Sequence, residues 1–303
     1  MIAGRHTAWV TRALAIVNPA AGGGIARADV DALLQTLRAR FAAIDIVETG
    51  PESPTAEDLA RRGVAEGYEA ILVAGGDGTV GAAARAVVNT DATLGILPFG
   101  SFMNIARALG IPRDDRIAAS RIIAAGHHRE IDVGRVGDHL FFEAAGIGLD
   151  AHAFEAGHAF QRGERSSAIA AIGALLRRSG VRVQFETDGR RHSHRVLQAV
   201  VCNGPWYGWG FEVAPGARID DGRLDLVVFG GGRLAVLREL IAAAVDRDRP
   251  ARGRRYLGKR IVLSSREPLE VHADGQLVGA LPQTFETLPR ALRVFAPASV
   301  KHP

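Results

Sequence analysis

Short apolar runs alternate with amphipathic segments through the first part of the chain, and this alternation constrains the fold more than any other feature. Gly or Pro bounds these strand-sized runs, which cover residues 13–17, 43–47, 70–74 and 93–97. Between them, apolar residues recur at helical spacing, as they do at Leu33, Leu34 and Leu37. Thr55 followed by Asp58 is typical of a capped helix start. The pattern predicts a βαβ series with a parallel sheet.

The pattern changes after Asp132, where strand-like runs separated by turns become dominant. These runs cover residues 140–144, 181–187, 196–202, 224–229, 261–264 and 269–272. Helical patterns interrupt them near residues 168–178 and 233–245. A β-rich region therefore follows the α/β region.

Length and composition agree with two packed domains. The chain has 303 residues, of which 47% are hydrophobic and 23% charged, a balance typical of globular proteins. We assign an α/β N-terminal domain with a parallel sheet to residues 1–133 and a β-rich C-terminal domain to residues 134–290. A last apolar run allows residues 291–303 to pack back on the first domain.

Composition also bears on location and partners. Cys202 is the sole cysteine, which excludes an internal disulfide framework and favours a cytoplasmic location. No apolar stretch reaches the roughly 20 residues that cross a bilayer, so we expect no membrane-spanning helix. The net charge of +4 favours anionic surfaces. The densest basic run, residues 247–260, suits an anionic membrane leaflet or nucleic acid, and a solvated loop explains it equally well.

The strongest local signal is a glycine-rich turn between the third apolar run and a helical pattern. It comprises Gly75, Gly76, Asp77, Gly78 and Thr79. Glycines let the backbone approach phosphate oxygens, and the helix N-terminus offers free N–H groups, with Thr79 as its expected cap. Asp77 would repel phosphate unless it acts through a metal or binds a sugar hydroxyl. A purely structural turn is the alternative, although it would not require three glycines around an acid.

Two further loops follow apolar runs in the same way. Their candidate ligand-binding residues are Asn18, Pro19 and Gly22 in the first loop along the chain and Gly100, Ser101 and Asn104 in the third, with the glycine-rich turn as the second. Loops after adjacent parallel strands converge at the carboxyl edge of the sheet, where open α/β folds bind ligands. The Walker lysine pattern is missing, and Lys259 and Lys301 are the only lysines. Backbone amides, arginine and Mg²⁺ must therefore hold any phosphates.

Other motifs are weaker when each is taken alone. Residues 146–151 superficially fit a dinucleotide fingerprint, but the acid expected about 20 residues further on is missing. We interpret them as a tight turn between the domains. The histidines show no zinc-ligand spacing. Asp221-Gly222 and Asp274-Gly275 are, by themselves, ordinary hairpin turns.

Taken in order, these motifs resemble the diacylglycerol kinase catalytic family. Besides the three loops, the resemblance rests on Ile131-Asp132-Val133-Gly134, Asn203-Gly204, Asp221-Gly222 with Leu224-Asp225, and Asp274-Gly275. The glycine–aspartate loop is shared with NAD kinases, whereas the second-half pattern favours the lipid branch. The resemblance implies a β-sandwich-like C-terminal domain and an ATP-dependent transfer of phosphate to a lipid hydroxyl, with diacylglycerol giving phosphatidic acid.

The resemblance also implies roles for single residues and partners. The three loops would bind ATP, Asp274 would act as the general base, and Mg²⁺ would be organised by Asp77, Asp132, Asp221 and, through water, Gln276. The protein would be cytoplasmic and peripherally bound at an anionic membrane surface that holds its lipid substrate. Nucleic acid is not an expected partner, and strand edges in the second domain could pair in a homodimer.

The chain departs from the family pattern at two places. The family usually has Gly-Thr-x-Asn-Asp in the third loop, where this chain delays the asparagine to Asn104. It usually has Asp-Gly-Glu where this chain has Gln276, which removes a negative charge from the metal network. An NAD kinase and a non-catalytic nucleotide- or lipid-binding member of the family are the alternative functions.

Overall fold

The structure is a computed structural model that describes residues 12–148, 180–208, 210–230 and 253–298. The chain divides into unit 1, with Met1–Ile131 and Arg290–Pro303, and unit 2, with Asp132–Pro289. In sequence, unit 2 is therefore an insertion in unit 1. The helical patterns near residues 168–178 and 233–245, and the basic run as far as residue 252, lie outside the described residues.

Unit 1 is built on parallel strands that alternate with helices. Its elements are β1 (Arg12–Val17), α1 (Arg27–Leu37), β2 (Ala43–Glu48), α2 (Ala56–Ala65), β3 (Ala70–Gly75), α3 (Asp77–Val87), β4 (Thr93–Pro98), α4 (Asn104–Ala108) and α5 (Arg116–Ala125). β1 pairs in parallel with β2 and β3, and β3 pairs in parallel with β4. The predicted parallel sheet and its four strands are confirmed.

Local sequence explains how the helices of unit 1 begin and which face they bury. Thr55 and Asp58 form the predicted reciprocal capping box at the start of α2. α1 buries its apolar face against a core that also holds Phe41 and Phe295, whose rings meet edge to face at 6.4 Å. α5, which no sequence pattern indicated, begins at an Asp115 cap. Among the described helices, none combines the length and the apolar character of a membrane span.

Unit 2 is β-rich, as predicted, and its strands pair mostly antiparallel. The strands that lie wholly or partly in it are β5 (His128–Val136), β6 (His139–Phe141), β7 (Ala144–Ile147), β8 (Val181–Thr187), β9 (Arg190–Cys202), β10 (Trp206–Tyr207), β11 (Phe211–Glu212), β12 (Leu224–Gly230), β13 (Arg254–Gly258), β14 (Arg260–Ser265), β15 (Glu270–Ala273), β16 (Gln276–Ala280) and β17 (Gln283–Phe295). The unit boundaries fall inside β5 and β17.

The strand order in unit 2 places three strand ends side by side. The order runs β16-β15-β7-β9-β8-β14-β17, and β12 also pairs with β9 and β13. Cys202, the last residue of β9, is opposite Ala144 of β7 and Asp225 of β12. Since both pairings are antiparallel, the end of β9 lies between the starts of β7 and β12. A core that includes Val201, Leu226 and Phe285 underlies these strands.

Two expectations from the sequence are wrong in this region. Residues 140–144 are not one strand, because Phe142 and Glu143 separate β6 from β7. Residues 146–151 are not a turn between domains as a whole, because Gly146 and Ile147 belong to β7 and pair with both β9 and β15. The glycines in this segment made it resemble a turn, but Gly146 lies inside a buried strand.

Candidate active site

The three predicted ligand loops of unit 1 follow β1, β3 and β4. Because these are neighbouring parallel strands, their carboxyl ends share one edge of the sheet. Asn18 and Pro19 directly follow β1, and Gly22 lies in a short 3-10 turn. In the third loop Ser101 is exposed, whereas Asn104 is the buried first residue of α4.

Glycines let the backbones of these loops touch one another. A Cβ on Gly100 would lie 2.7 Å from the Gly76 Cα, and a Cβ on Gly22 would lie 2.4 Å from the Phe99 carbonyl oxygen. The Phe99 N–H donates to the Gly75 carbonyl at 3.0 Å. The edge of the sheet is thus formed by closely packed backbone, as a surface that holds phosphate through amides requires.

The start of α3 has the properties of an anion-binding helix end. Gly76 is the N-cap and offers no side chain to accept the first N–H groups, so the expectation that Thr79 is the cap is wrong. Gly78 lies in the first turn, and a Cβ there would meet no atom within 4 Å. Within the described ranges, no protein contact therefore requires this glycine, although glycine in a helix costs about 1 kcal/mol relative to alanine. A ligand that approaches the backbone closely would require it.

Asn18 links the first loop to α3. Its Nδ2 donates to the Thr79 Oγ1 at 2.9 Å, and its Oδ1 accepts from the Ala20 N–H at 3.1 Å. Its own N–H donates to the Ala74 carbonyl at 2.9 Å. Asn18 and Thr79 are therefore brought together, and Thr79 acts as an acceptor inside the helix rather than as its cap.

Asp77 connects the glycine turn to α4. Burial raises the pKa of its carboxyl, although the backbone N–H groups of Ile105, Met103 and Asn104 donate to it and favour the charged form. Its Oδ1 is buried without a hydrogen-bond partner in the described part of the chain. Asp77 thus holds the third loop in place, which explains why an acid stands among the glycines.

Arg116 is a cation beside these loops that no sequence motif indicated. Its Nε donates to the Pro98 carbonyl at 3.3 Å, and its guanidinium carbon lies 4.3 Å from the centroid of the Phe99 ring. Pro98 ends β4, so the guanidinium is held at the same edge of the sheet as the glycine turns.

In unit 2, Asp274 occupies the turn of the β15–β16 hairpin. Asp274 and Gly275 both have positive φ, at +43° and +81°, as a two-residue hairpin turn requires. The Asp274 Oδ2 accepts from the Phe142 N–H at 2.7 Å, and Oδ1 accepts from the N–H groups of Glu143 at 3.0 Å and Ala144 at 3.2 Å. These donors explain the break between β6 and β7, because the N–H groups of the break point at the carboxylate.

Asp132 and Asp221 form an acidic pair in the same unit. Asp132 is buried in β5, and its Oδ2 accepts from the Gly222 N–H at 2.6 Å. Asp221 is exposed, yet partial desolvation raises the pKa of its carboxyl, and the charges of Asp225 and Asp132 raise it further. Because neighbouring negative charges disfavour the ionised form of Asp221, a bound cation would favour that form.

Two of the predicted magnesium residues, Asp132 and Asp221, lie near enough in unit 2 for their charges to interact. In the described part of the chain, no group of three or more His, Cys, Asp or Glu side chains is arranged to hold a metal ion. Gln276 is exposed at the start of β16, and Asp77 belongs to unit 1. Asp132 and Asp221 remain as a carboxylate pair, which fits Mg²⁺ because this ion commonly takes one or two carboxylates together with phosphate oxygens and water.

Sequence reasoning missed two residues that hold the turn containing Asp221 and Gly222, which we call the acidic turn. Arg255 forms an ion pair through Nε with the Asp225 carboxylate, and its Nη1 donates to the Pro215 carbonyl at 2.7 Å. Burial raises the pKa of Asp225 despite this pairing. Asn203, noted only as part of an Asn-Gly motif, donates to the Asp132 carbonyl at 2.9 Å. Neither long-range partner could be read from local spacing.

The fold and these sites define a two-unit protein, with an α/β unit that presents amide-lined glycine loops and a β-rich unit that presents ordered carboxylates. The diacylglycerol kinase catalytic domain matches residues 12–136, and the YegS C-terminal NAD kinase beta sandwich-like domain matches residues 144–296. The chain therefore belongs to the diacylglycerol kinase catalytic family, as the sequence motifs indicated. This is a family of kinases.

Relatives and solved structures support this assignment over nearly the whole chain. A Mycobacterium tuberculosis protein named diacylglycerol kinase is 28% identical over 95% of this chain and 96% of its own length. A Bacillus subtilis protein of the same name is 27% identical over 94% and 96%. A Bacillus anthracis structure provisionally assigned to this activity is 25% identical, covers 97% of this chain and 100% of its own, and has a TM-score of 0.79. The predicted fold class is confirmed.

Proposed function

We propose that the protein is an ATP-dependent lipid kinase that transfers the γ-phosphate to a lipid hydroxyl, with diacylglycerol as the first candidate and phosphatidic acid as its product. The geometry around Asp274 carries this proposal. Three backbone N–H groups orient one carboxylate in a hairpin turn, which is an arrangement suited to a preorganised base. The names of the relatives supply the substrate class.

In the proposed reaction, unit 1 binds ATP. The N–H groups at the start of α3 and the glycine backbones around Gly76 and Gly100 would hold the phosphates, and Asn18 would keep the first loop against Thr79. Gly78 leaves room for the phosphates to approach the helix. Asp77 would act mainly through α4 rather than on the nucleotide.

Asp274 would accept the proton of the lipid hydroxyl. As that proton moves to the carboxylate, the hydroxyl oxygen bonds to the γ-phosphorus and the bond to the leaving ADP oxygen breaks. Mg²⁺, when bound by Asp132 and Asp221, would neutralise phosphate charge. Gln276 in place of an acid predicts weaker binding of that ion than a third carboxylate would give.

The proposed setting is a peripheral association with the cytoplasmic face of a membrane. The net charge of +4 supports attraction to an anionic lipid surface, where the substrate resides. We expect no nucleic-acid partner. A homodimer formed through strand edges of the second domain is a further proposal, which sedimentation of the full chain would test.

The deciding experiment follows transfer of labelled γ-phosphate from ATP to lipids in mixed micelles, with and without Mg²⁺. Asp274→Asn should lower kcat by about 100-fold or more, as expected for loss of a general base. Asp188→Asn is a matched control, because Asp188 also occupies an Asp-Gly turn with positive φ and accepts backbone N–H groups. This control should retain the activity of the wild type.

The same assay separates the alternative functions. Labelling of NAD instead of any lipid would identify an NAD kinase. ATP binding without transfer to either acceptor would identify a non-catalytic member of the family. Equal activity of the wild type and Asp274→Asn would show that Asp274 is not the general base, although the protein would still be a kinase.

A further inference from the structure

Asn203 lies where the ends of three strands meet in unit 2. It follows β9, between the starts of β7 and β12, and is 1% exposed. Its Nδ2 donates to two backbone carbonyls, those of Asp132 at 2.9 Å and Phe142 at 3.1 Å. Its N–H donates to the Glu143 carbonyl at 2.9 Å. One side-chain amide therefore joins two segments that precede it in sequence by 71 and 61 residues.

The first of these segments holds Asp274. The carbonyls of Phe142 and Glu143 accept from Asn203, and the N–H groups of the same two peptide groups, those of Glu143 and Ala144, donate to the Asp274 carboxylate. The Asp274 N–H in turn donates to the Ala144 carbonyl at 3.0 Å. The orientation of the carboxylate thus depends on peptide groups that Asn203 fixes from the other side.

The second segment holds the acidic turn. Asp132 accepts from Asn203 through its backbone carbonyl and from the Gly222 N–H through its side chain. Its own N–H donates to the Ile219 carbonyl at 2.8 Å. A displacement of the Asp132 backbone would therefore displace the turn that carries Asp221.

The side chain of Asn203 is poorly suited to a role in stability alone. Its Oδ1 is buried and has no hydrogen-bond partner within the described ranges. A buried acceptor without a partner lowers the free energy of unfolding, because the atom loses its hydrogen bonds to water. Sites at which a local rule of stability is broken are often sites where function requires the residue. The amide thus contributes to the structure through the two hydrogen bonds that its Nδ2 donates.

We propose that Asn203 is a positioning residue that fixes the Asp274 carboxylate relative to the acidic pair Asp132 and Asp221. The proposal rests on the proposed function, since it makes turnover depend on a residue that acts through the backbone of others. Misplacement of a reacting group by about 1 Å can lower the rate about 100-fold.

Asn203→Asp tests the donors, because aspartate has nearly the same size and, when ionised, accepts but does not donate. We expect kcat to fall between about 10-fold and 100-fold, with the KM for ATP within about twofold of the wild type, because the nucleotide loops belong to unit 1. Val201→Ala is the control for lost stability, because Val201 is buried in the core beneath the same strand. It should lower the urea midpoint and leave kcat unchanged.

A spectroscopic readout follows the hydrogen bond itself. Phe141-Phe142 is the sole Phe-Phe pair in the sequence, so labelling phenylalanine with ¹³C at the carbonyl and ¹⁵N gives one correlated amide signal, that of Phe142. Its proton should resonate downfield in the wild type and in Val201→Ala. It should move upfield in Asp274→Ala, which lacks the acceptor, and in Asn203→Asp.

Two results would overturn the proposal: a kcat for Asn203→Asp within about threefold of an active wild type, or a Phe142 amide signal unchanged by that substitution. If the wild type transfers phosphate to no lipid, the proposed function fails, and the Phe142 signal alone decides whether Asn203 positions Asp274.

Discussion

At the residue scale, the two principal aspartates of the candidate site are both acceptors of several backbone N–H groups. Asp77 holds the start of α4, and Asp274 holds the segment between β6 and β7. Each acid sits beside glycines because the turn around it needs close backbone packing or positive φ. In both cases the carboxylate accepts from the backbone of a neighbouring loop and so orders that loop.

The raised pKa of Asp77 predicts an effect of pH on stability. Between the unfolded value of 3.8 and the raised folded value, the folded state binds more protons than the unfolded state, so stability falls as pH rises. Asp77→Asn removes this loss. The urea-derived free energy of unfolding of the variant should therefore gain on the wild type as pH rises above about 4.

Asp58 supplies the control of opposite sign. Its hydrogen bonds to Thr55 lower the pKa of its carboxyl, so its contribution is present above the unfolded pKa and lost as pH falls. Asp58→Asn should therefore lose stability relative to the wild type as pH rises toward the unfolded value of 3.8, and above that value the difference should stay constant. Parallel pH profiles for the two variants would contradict both assignments.

The hydrogen bond between Asn18 and Thr79 should contribute to nucleotide binding by joining two loops. Asn18→Ala and Thr79→Val should each weaken ATP binding, measured by calorimetry, by about 1 kcal/mol. The double variant should lose less than the sum, because both substitutions remove the same bond. Strict additivity would show that the bond has no part in binding.

At the element scale, β12 and β13 hold the acidic turn through one buried ion pair. The Asp225 side chain is 2% exposed, and Arg255 reaches from it to the carbonyls of Pro215 and Gly216. Part of the basic run near residue 255 is therefore structural rather than a solvated loop. Arg255 thus links the start of β12 to the loop before it.

Removing the cation of this pair should destabilise unit 2. Arg255→Met leaves a buried carboxylate unpaired, which costs on the order of 3 kcal/mol in urea unfolding at neutral pH. The difference in the free energy of unfolding between Arg255→Met and the wild type should become smaller at low pH, because a protonated Asp225 carries no charge that needs a cation. The double variant Asp225→Asn with Arg255→Met should recover much of the loss, and a double variant as unstable as Arg255→Met would contradict the explanation.

Periodicity and turn chemistry predicted the elements that depend on local sequence. The parallel strands of unit 1, the Thr55 cap and the Asp274 turn were accessible in this way. Local sequence did not predict the break at Phe142, the hydrogen bonds of Asn203 or the ion pair of Arg255. Their partners are separated by many residues, so no local pattern records them.

At the scale of the whole molecule, charge should govern association with membranes. The net charge of +4 predicts binding to vesicles that contain an anionic phospholipid in preference to neutral vesicles. Binding measured by co-sedimentation should weaken as salt rises, because the Debye length falls to about 8 Å at physiological ionic strength. Binding to neutral vesicles that is equal and insensitive to salt would contradict an electrostatic association.

The insertion of unit 2 within unit 1 has a consequence for folding during synthesis. Phe295 belongs to the first core, and Val294 pairs with Leu94 of β4. A ribosome makes residues 290–298 only after all of unit 2. The nascent α/β sheet must therefore wait for its final strand while an entire β-rich unit emerges, exposing an unpaired edge to chaperones and to other chains.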